Sequence, residues 1–275
     1  MAEAPLVSVL IPTKNSAAHL ARCIGSVRAQ RYPAIEVIVI DNDSHDATPE
    51  IARAKADRFL VAGGERSRQL NTGAKHANGK YLYRIDGDFV LDRDVIGEAV
   101  RLCETEGYDA VAVHNESDPS VSFWAKVRNF ERAMYKYDPT IVGARFLSKE
   151  AFNAVGGFDE DLIAGEDYDI HNRLLRTGYR IGRIEPAEMH LGEPVSLAEF
   201  ASKSFFYGQT IGAFVRKSGL RGVRQVSPIR AAFVRHWKEF VAHPGLGLGL
   251  GVMQCVKYLC GGAGFLVAQF RGARR

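Results

Sequence analysis

Val7-Ser-Val-Leu-Ile11 is a short apolar run with β-branched residues, and Glu36 to Ile40 is a second run of this kind. The stretch between them, Ala17 to Gln30, has the apolar spacing of a helix. A third run, Tyr81 to Ile85, follows another helical segment, Ser67 to Ala77. Strands that alternate with helices favour a parallel sheet with crossover helices on its faces. The sequence therefore predicts an α/β fold.

Polar side chains follow each of these three strands at its carboxyl end. In open sheets of this type, ligands bind outside the carboxyl ends of the strands. We therefore expect one site at this edge of the sheet. The residues that would converge there are Thr13 and Asn15 after the first strand, Asp41, Asn42 and Asp43 after the second, and Asp86 and Asp88 after the third.

Asp86-Gly87-Asp88 is the most informative short motif in the chain. Two carboxylates one residue apart point the same way from an extended segment, and a glycine between them lets the backbone approach a ligand closely. Carboxylate oxygens suit Mg²⁺ or Mn²⁺ shared with a diphosphate. Acidic pairs are also common in solvated turns, so the case for a metal depends on the position of this motif at the end of a strand.

Two later segments supply further candidates. Glu166-Asp167 follows Gly165 and begins a predicted helix. A helix N-terminus stabilises an ionised carboxylate, which could accept a proton from a hydroxyl in a cleft, although capping is the competing interpretation. His190 is a candidate metal ligand, although a single histidine is more often structural.

Charge is distributed unevenly along the 275 residues, whose net charge is +4. Residues 200–275 contain 12 Lys or Arg against the single Glu239, a balance of +11, and residues 1–199 therefore carry −7. Nucleic acid could bind such a region, but interleaved apolar residues and glycines favour an anionic bilayer, where each basic group contributes roughly 1 kcal/mol. We therefore expect a catalytic domain over 1–199, a membrane-associating region over 200–275, and no nucleic acid partner.

The segment Pro244 to Phe270 is apolar and contains a single charge, Lys257. Its glycines would each cost about 1 kcal/mol in a helix exposed to water. Because Gln254 and Lys257 interrupt the segment, we expect short helices that lie in or dip into the interface rather than one straight span. The competing interpretation is a pair of ordinary core helices. Basic residues that would face anionic headgroups are Arg216, Lys217, Arg221, Arg224, Arg230, Arg235 and Lys238 before the segment, and Arg271, Arg274 and Arg275 after it.

The N-terminus and the cysteines indicate the compartment. The apolar run that ends at Ile11 is too short for the core of a signal peptide, and no basic segment precedes it. The four cysteines form no CxxC pair and are too sparse for a disulfide framework or a zinc site. We therefore expect the protein at the cytoplasmic face of the membrane.

Several of these segments, in this order, resemble the family-2 glycosyltransferases of the GT-A fold. The resemblance covers about residues 5–192 and rests on Val7 to Asn15, Val39 to Ser44, Asn71-Thr-Gly73, Asp86-Gly-Asp88, Gly156-Gly-Phe-Asp159 and Gly165-Glu-Asp167. The stretch from Phe123-Trp-Ala125 to Arg145-Phe146 is similar to a membrane-associated branch that acts on lipid-linked or polysaccharide acceptors. This resemblance implies a Rossmann-like mixed sheet flanked by helices, with a helical C-terminal extension. It also implies inverting transfer of a sugar from a nucleotide-sugar to a hydroxyl, as in cell envelope polysaccharide biosynthesis.

The resemblance further implies roles for individual residues. Asp167 would be the catalytic base, Asp88 would bind the metal, and His190 would complete its coordination. Asn42 replaces a second acidic residue of many members, and because an amide can donate as well as accept, uridine is not assumed as the nucleoside. Residues assigned to the nucleotide-sugar are Pro12, Thr13, Asn15, Asp41, Asn42, Asp86, Gly87 and Glu166, together with Arg68, which with Arg66 could contact the diphosphate or lie on a solvated helix face.

Two other functions compete with this interpretation. A nucleotidyltransferase would use a similar sheet and metal but normally has a Gly-rich phosphate loop near the first strand, and none follows Ile11. A non-catalytic protein that binds sugar nucleotides on the same fold is expected to lack Asp88 or Asp167, and both are present. The sequence therefore favours a glycosyltransferase.

Overall fold

A computed structural model describes residues 3–138, 141–228 and 230–272. Contacts group the chain into two compact units. Unit 1 is Met1–Asn115, Gly143–Glu160 and Glu166–Gly192, and unit 2 is Glu116–Val142, Asp161–Gly165 and Glu193–Arg275. Unit 2 thus contains two internal segments in addition to the C-terminal region, and the domain boundary after residue 199 stays a prediction.

Strands and helices alternate through unit 1, and unit 2 is mainly helical. In chain order the elements are β1 (Val7–Thr13), α1 (Ala17–Arg28), β2 (Ile35–Asp41), α2 (Thr48–Lys55), β3 (Arg58–Val61), α3 (Arg66–His76), β4 (Tyr81–Arg84), β5 (Phe89–Leu91), α4 (Val95–Glu106), β6 (Ala110–Ser117), α5 (Phe123–Ala133), β7 (Ala144–Ser148), α6 (Lys149–Ala154), α7 (Glu166–Arg176), β8 (Ile181–His190), α8 (Leu197–Val226), α9 (Ala231–Arg235), α10 (Trp237–Ala242) and α11 (Pro244–Gly272).

The sheet of unit 1 is mixed, with the strand order β3-β2-β1-β4-β7-β6-β8-β5. The pairs β1–β2, β1–β4 and β2–β3 are parallel, which confirms the crossover units predicted for the first half of the chain. The pairs β4–β7, β6–β7 and β5–β8 are antiparallel. This combination confirms the mixed sheet, flanked by helices, that the resemblance implies.

The central strands are apolar without alternation because helices cover both of their faces. On one face, Val9 and Ile11 of β1 pack in a cluster with Leu20 of α1. On the other face, Leu10 packs with Leu70 of α3. All five side chains are almost completely buried, so β1 occupies the centre of the core of unit 1.

The Asn71 and Gly156-Gly157 motifs meet in space and have a structural role. The Asn71 side chain donates to the carbonyl of Phe158 at 2.8 Å and accepts from its backbone N–H at 2.9 Å. Gly157 has a φ of 70°, and a Cβ added to it would lie 2.7 Å from Asn71 Oδ1. The turn therefore requires glycine at this position, both for its backbone conformation and for the close approach of Asn71.

In unit 2, α11 is one continuous helix of 29 residues, so the expectation of several short helices is wrong. Its glycines permit close packing against α8. A Cβ on Gly264 would lie 2.1 Å from the carbonyl oxygen of Phe205, and one on Gly208 of α8 would lie 2.0 Å from that of Gly261. The glycines thus offset their low helix propensity by allowing two backbones to approach, as small residues do where helices cross.

The polar residues Gln254 and Lys257 of α11 face inward, and its apolar residues are divided between a buried side, with Leu250 and Met253, and an exposed side. Gln254 donates to the Glu131 carboxylate of α5 at 2.9 Å, and the Lys257 charge acts on the same carboxylate. Spacings of three and four residues place Leu248, Val252, Cys255, Leu259, Gly262, Leu266 and Phe270 on one side of the helix, and all seven are exposed. We call these residues the outer stripe of α11.

The span Pro244–Phe270 is long and apolar enough to cross a membrane by length and composition. Only 17% of its most apolar window is buried, whereas a core helix of a soluble protein is mostly buried. Among the basic residues assigned to headgroups, Arg274 and Arg275 lie outside the described residues.

Candidate functional site

The Asp86-Gly87-Asp88 motif lies at the carboxyl end of β4, beside the end of β1, as the sequence predicted. A Cβ on Gly87 would lie 3.4 Å from side-chain carbons of both Thr13 and Ser16. The carboxylates are therefore held against the loop that follows β1. This edge of the sheet is the one at which ligands bind in open α/β folds.

Asp88 and His190 are brought together by the antiparallel pairing of β5 with β8. Phe89 is paired with His190, so the residue before Phe89 lies next to the end of β8. His190 Nε2 lies 3.0 Å from Asp88 Oδ2, and the Phe89 and His190 rings are 4.6 Å apart. The structure thus places the two predicted metal ligands in contact, although they are separated by about a hundred residues in the chain.

The residues at this point fit a divalent cation. A carboxylate oxygen and an imidazole nitrogen are both suitable ligands for Mn²⁺. A Cβ at Gly192 would lie 2.4 Å from Asp88 Oδ2, so glycine at this position keeps the space beside the carboxylate open. Among the described residues no group of three or more His, Cys, Asp or Glu side chains forms a metal cluster, so a cation held by Asp88 and His190 would need further ligands of another kind.

Asp86 lies beside arginine side chains. Arg66 Nε lies 3.4 Å from Asp86 Oδ1, and Arg66 Nη1 lies 3.2 Å from Glu166 Oε1. Burial favours the neutral carboxyl, but the charges of Arg66, Arg84 and Arg145 outweigh it and hold the pKa of Asp86 well below its usual range. Asp86 is therefore a fixed anion at neutral pH.

Arg66, not Arg68, contacts the Asp86-Gly87-Asp88 motif. Arg68 Nε lies 4.0 Å from a carboxylate oxygen of Glu160, and the side chain is exposed. Residues two apart on a helix point to different faces, so only one of the two arginines at the start of α3 can face the motif. The sequence named both arginines as candidates and assigned Arg68 to the donor, and that assignment stays a prediction.

Glu166 and Asp167 occupy the first turn of α7 and differ in exposure. The Asp167 side chain is 33% exposed, whereas that of Glu166 is 6% exposed. Burial and the neighbouring Asp167 charge raise the pKa of Glu166, against the opposing charges of Arg66 and Arg84. Asp167 is therefore the carboxylate that a substrate can reach, and Glu166 lies behind it.

Beneath the candidate site lies a buried group of charged and polar side chains that the sequence did not indicate. Arg145 Nε lies 2.7 Å from Glu188 Oε1, and the Tyr83 hydroxyl donates to Glu188 Oε2 at 2.6 Å. Arg84, at the end of β4, lies 3.6 Å from Asp167 and 3.9 Å from Glu166. These residues are scattered through apolar strands, so only the pairing of the strands shows that they meet.

The loops after β1 and β2 are tied to each other by the residues assigned to the nucleotide. Asp41 Oδ1 accepts from the hydroxyls of Thr13 at 2.9 Å and Ser44 at 2.6 Å. Asn15 has a φ of 49°, and its side chain accepts from the backbone N–H of His45 at 2.9 Å. Asp41 is 1% exposed, so its carboxylate lies beneath the loop that follows β2 and stabilises the loop's conformation through these hydrogen bonds.

The remaining assigned residues lie at the same edge. Pro12 is buried in β1 opposite Ile40. The side-chain amide of Asn42 donates to the carbonyl of Gly64 at 2.7 Å. The side-chain amide of Gln69 donates to the carbonyls of Thr13 and Ile40 and so holds the ends of β1 and β2 together. No local sequence pattern marks Gln69 as part of the candidate site.

Comparison with known proteins agrees with this arrangement. Residues 8–158, more than half of the chain, match glycosyl transferase family 2. Residues 125–196 match a second family, described as the N-terminal domain of galactosyltransferase.

Similar proteins come from archaea and bacteria. The chain is 27% identical over 246 residues to the succinoglycan biosynthesis protein ExoA of Rhizobium meliloti, covering 82% of this chain and 74% of that protein. It is 28% identical over 193 residues to glycosyltransferase AglE of Haloferax volcanii, covering 64% of each. It is also 28% identical over 193 residues to a beta-monoglucosyldiacylglycerol synthase of Trichormus variabilis, covering 62% of this chain. The chain spans 64% of the length of AglE and 41% of that of the synthase.

Solved structures share the fold. The mannosyltransferase PcManGT from Pyrobaculum calidifontis, in complex with GDP-Man and Mn²⁺, has a TM-score of 0.68 at 17% identity and covers 96% of this chain and 88% of its own. S. aureus TarS 1-349, in complex with UDP-GlcNAc, has a TM-score of 0.56 at 19% identity and covers 75% of this chain and 66% of its own. The chain therefore belongs to glycosyl transferase family 2 and has the GT-A fold.

Proposed function

We propose that the protein is an inverting, metal-dependent glycosyltransferase that moves a sugar from a nucleotide-sugar to a hydroxyl of a lipid-linked or polysaccharide acceptor. The observation that carries the proposal is the linkage of the Asp86-Gly87-Asp88 motif to Asp167. Arg66 joins Asp86 to Glu166, and Arg84 contacts Glu166 and Asp167. One edge of the sheet thus presents candidate metal ligands and a reachable carboxylate.

In the proposed reaction, Asp167 accepts the proton of the acceptor hydroxyl. The oxygen forms its bond to the anomeric carbon as the bond to the diphosphate breaks on the opposite face, which inverts that carbon. Asp88 and His190 would hold Mg²⁺ or Mn²⁺, which when bound supplies charge neutralisation for the departing diphosphate. Asp86 would orient the nucleotide, and Thr13, Asn15 and Asn42 would line its base.

One set of experiments tests both which nucleotide-sugar is the donor and whether Asp167 is the catalytic base. The purified chain is incubated with Mn²⁺ and a panel of nucleotide-sugars, and hydrolysis and the shift in melting temperature are measured for each. We expect one donor to raise the melting temperature and be turned over. Asp167→Asn should then reduce turnover by roughly two to four orders of magnitude and leave donor protection intact.

Two results would contradict the proposal. One is a panel in which no nucleotide-sugar protects or is consumed. The other is an Asp167→Asn variant with the kinetics of the unchanged protein. NMR of the product's anomeric proton, with a simple hydroxyl acceptor, decides whether the configuration is inverted.

We also propose that unit 2 attaches the protein to the cytoplasmic face of an anionic membrane through the outer stripe of α11. The stripe is apolar and exposed, while the polar Gln254 and Lys257 of the same helix face Glu131. A helix that faces water would instead expose its polar residues and bury its apolar ones. The basic residues of α8 to α10 complement anionic headgroups. Attachment brings the site within reach of an acceptor that resides in the membrane, as in envelope polysaccharide synthesis.

Sedimentation with vesicles tests the attachment. We expect the full chain to pellet with phosphatidylglycerol-containing vesicles, and less with phosphatidylcholine alone. Leu259→Gln and Leu266→Gln together should release it, whereas Val61→Gln, which changes an exposed residue of unit 1, should not. A chain that stays in the supernatant, or a double variant that pellets normally, would refute the membrane proposal without affecting the donor assay.

A further inference from the structure

Arg84 is a buried guanidinium below the candidate base, and part of its hydrogen-bonding capacity is unused. Its side chain is 3% exposed at the end of β4. Nη2 lies 3.6 Å from Asp167 Oδ2, and Nη1 lies 3.9 Å from Glu166 Oε1, so both contacts are longer than hydrogen bonds. Among the described residues, Nε and Nη1 have no hydrogen-bond acceptor. Leaving donors of a charged group unpaired in the interior destabilises a fold, so this residue requires a compensating role.

Three other carboxylates near Arg84, those of Asp86, Glu166 and Glu188, each have a nearer cation than Arg84. Asp86 and Glu166 lie 3.4 and 3.2 Å from Arg66, and Glu188 lies 2.7 Å from Arg145. Asp167 makes its ion pair with Arg84. Among these four carboxylates, Asp167 is thus the one whose nearest ion-pair partner is Arg84.

We propose that Arg84 is a positioning residue for Asp167, which it orients for proton transfer. This inference rests on the proposed function, in which Asp167 is the base. Arg84 is too deeply buried to bind the substrate itself, whereas Asp167 is accessible. Catalytic contacts are often long in a free enzyme and shorten in the substrate complex, so the 3.6 Å separation of Arg84 Nη2 from Asp167 is compatible with this role.

Replacing Arg84 with methionine should separate catalysis from binding. Arg84→Met removes the charge and keeps much of the side-chain volume. We expect kcat to fall by about 100-fold, at the lower end of what a general base contributes, while the donor Kd changes by less than about threefold. An equal loss of donor affinity, or an unchanged kcat, would overturn the proposal.

The pH profile provides a second measurement. The charged groups that face Asp167 are Arg84 from β4, Arg145 from β7 and Glu166 from its own helix. Because Arg84 is the nearest cation to Asp167, the acid limb of kcat/KM in Arg84→Met should move to higher pH. An acid limb that does not move would show that Arg84 is not the counter-charge of Asp167.

A double variant tests whether Arg84 acts through Asp167. In an Asp167→Asn background, Arg84→Met should reduce the residual turnover little further, because the group that Arg84 positions has already been removed. Multiplicative losses would overturn the proposal. If wild-type protein consumes no donor, the proposed function fails; if it is active and Asp167→Asn is not, but Arg84→Met is normal, only this inference fails.

Arg84→Lys keeps the proposal testable if the methionine variant does not fold. Lysine keeps the charge but loses the planar fork that can contact Asp167 and Glu166 together. We expect kcat to fall by about 10-fold, with an acid limb close to that of wild type. Wild-type kcat in a folded Arg84→Lys protein, verified by its melting temperature, would overturn the orienting role.

Discussion

At the scale of single residues, metal binding depends on the contact between Asp88 and His190. Either substitution, Asp88→Ala or His190→Ala, should weaken Mn²⁺ binding by at least about 10-fold, because even changing a residue that only supports a ligand costs roughly 10–100-fold. Calorimetric titration of Mn²⁺ with the donor nucleotide measures this.

His76→Ala, which changes an exposed histidine of unit 1, serves as the control for both variants. Asp86→Ala should instead weaken nucleotide binding, since the proposal assigns Asp86 to the nucleotide. If Asp88→Ala and His190→Ala both keep the metal dependence of donor binding, the two side chains are not ligands.

Gly156 and Gly157 are adjacent and both have positive φ, yet they should differ in their tolerance of alanine. A Cβ on Gly156 meets no atom within 4 Å, so Gly156→Ala should cost only backbone strain, about 1 kcal/mol. In Gly157→Ala the new Cβ would also lie only 2.7 Å from Asn71 Oδ1, so this substitution should lower the free energy of unfolding by about 2–3 kcal/mol. Urea unfolding followed by far-UV circular dichroism compares the two, and equal costs would show that the Asn71 contact is unimportant.

At the scale of elements, the packing of α11 on α8 depends on the position of each glycine. Gly264→Ala places a methyl group 2.1 Å from the Phe205 carbonyl oxygen and should destabilise unit 2 by about 2 kcal/mol or more. Gly262→Ala meets nothing within 4 Å and should be neutral or stabilising by up to about 1 kcal/mol, because alanine has the higher helix propensity.

Tryptophan fluorescence is suited to this comparison. The chain has two tryptophans, Trp124 and Trp237, and both lie in unit 2. Their signal during urea unfolding therefore follows that unit. If the two alanine variants unfold at the same urea concentration, close packing does not explain why α11 is a single helix.

At the scale of the whole molecule, acid stability is set in part by Glu131. Burial opposes its ionisation, but the charges of Arg128 and Lys257 and the hydrogen bonds from Gln254 and Tyr135 lower the pKa of Glu131 to about 2. A lowered pKa in the folded state stabilises the protein above the unfolded pKa of 4.5, by an amount on the order of 3 kcal/mol, and this is lost as pH falls from about 4.5 towards 2.

Glu131→Gln should therefore be less stable than wild type at pH 7, and the difference should shrink as the pH approaches 2. Tryptophan fluorescence during urea unfolding at a series of pH values measures it. Glu239→Gln, at an exposed position of unit 2, is the matched control and should change the free energy of unfolding little at any pH. A Glu131→Gln difference that does not vary with pH would refute the assignment.

Local sequence pattern is sufficient to predict the parallel half of the sheet and the place of the candidate site at its edge. β1, β2 and β4 are continuous apolar runs because both faces are buried, and this signal is local. The Asp86-Gly87-Asp88 motif follows one of these strands directly, so its place at the edge of the sheet also follows from local pattern. The order of the motifs similarly indicated family 2 and the GT-A fold.

Long-range packing fixes which distant side chains meet and which face outward. The contact of Asp88 with His190 follows from the pairing of β5 with β8, which no local pattern encodes. Arg84 and Arg145 are single charges within apolar strands, and only the fold shows that they lie below Asp167 and Glu188. The composition of α11 suggested broken helices, because glycine propensity is a local property. Packing against α8 overrides that propensity, since a close approach of two backbones is possible only where a Cβ is absent.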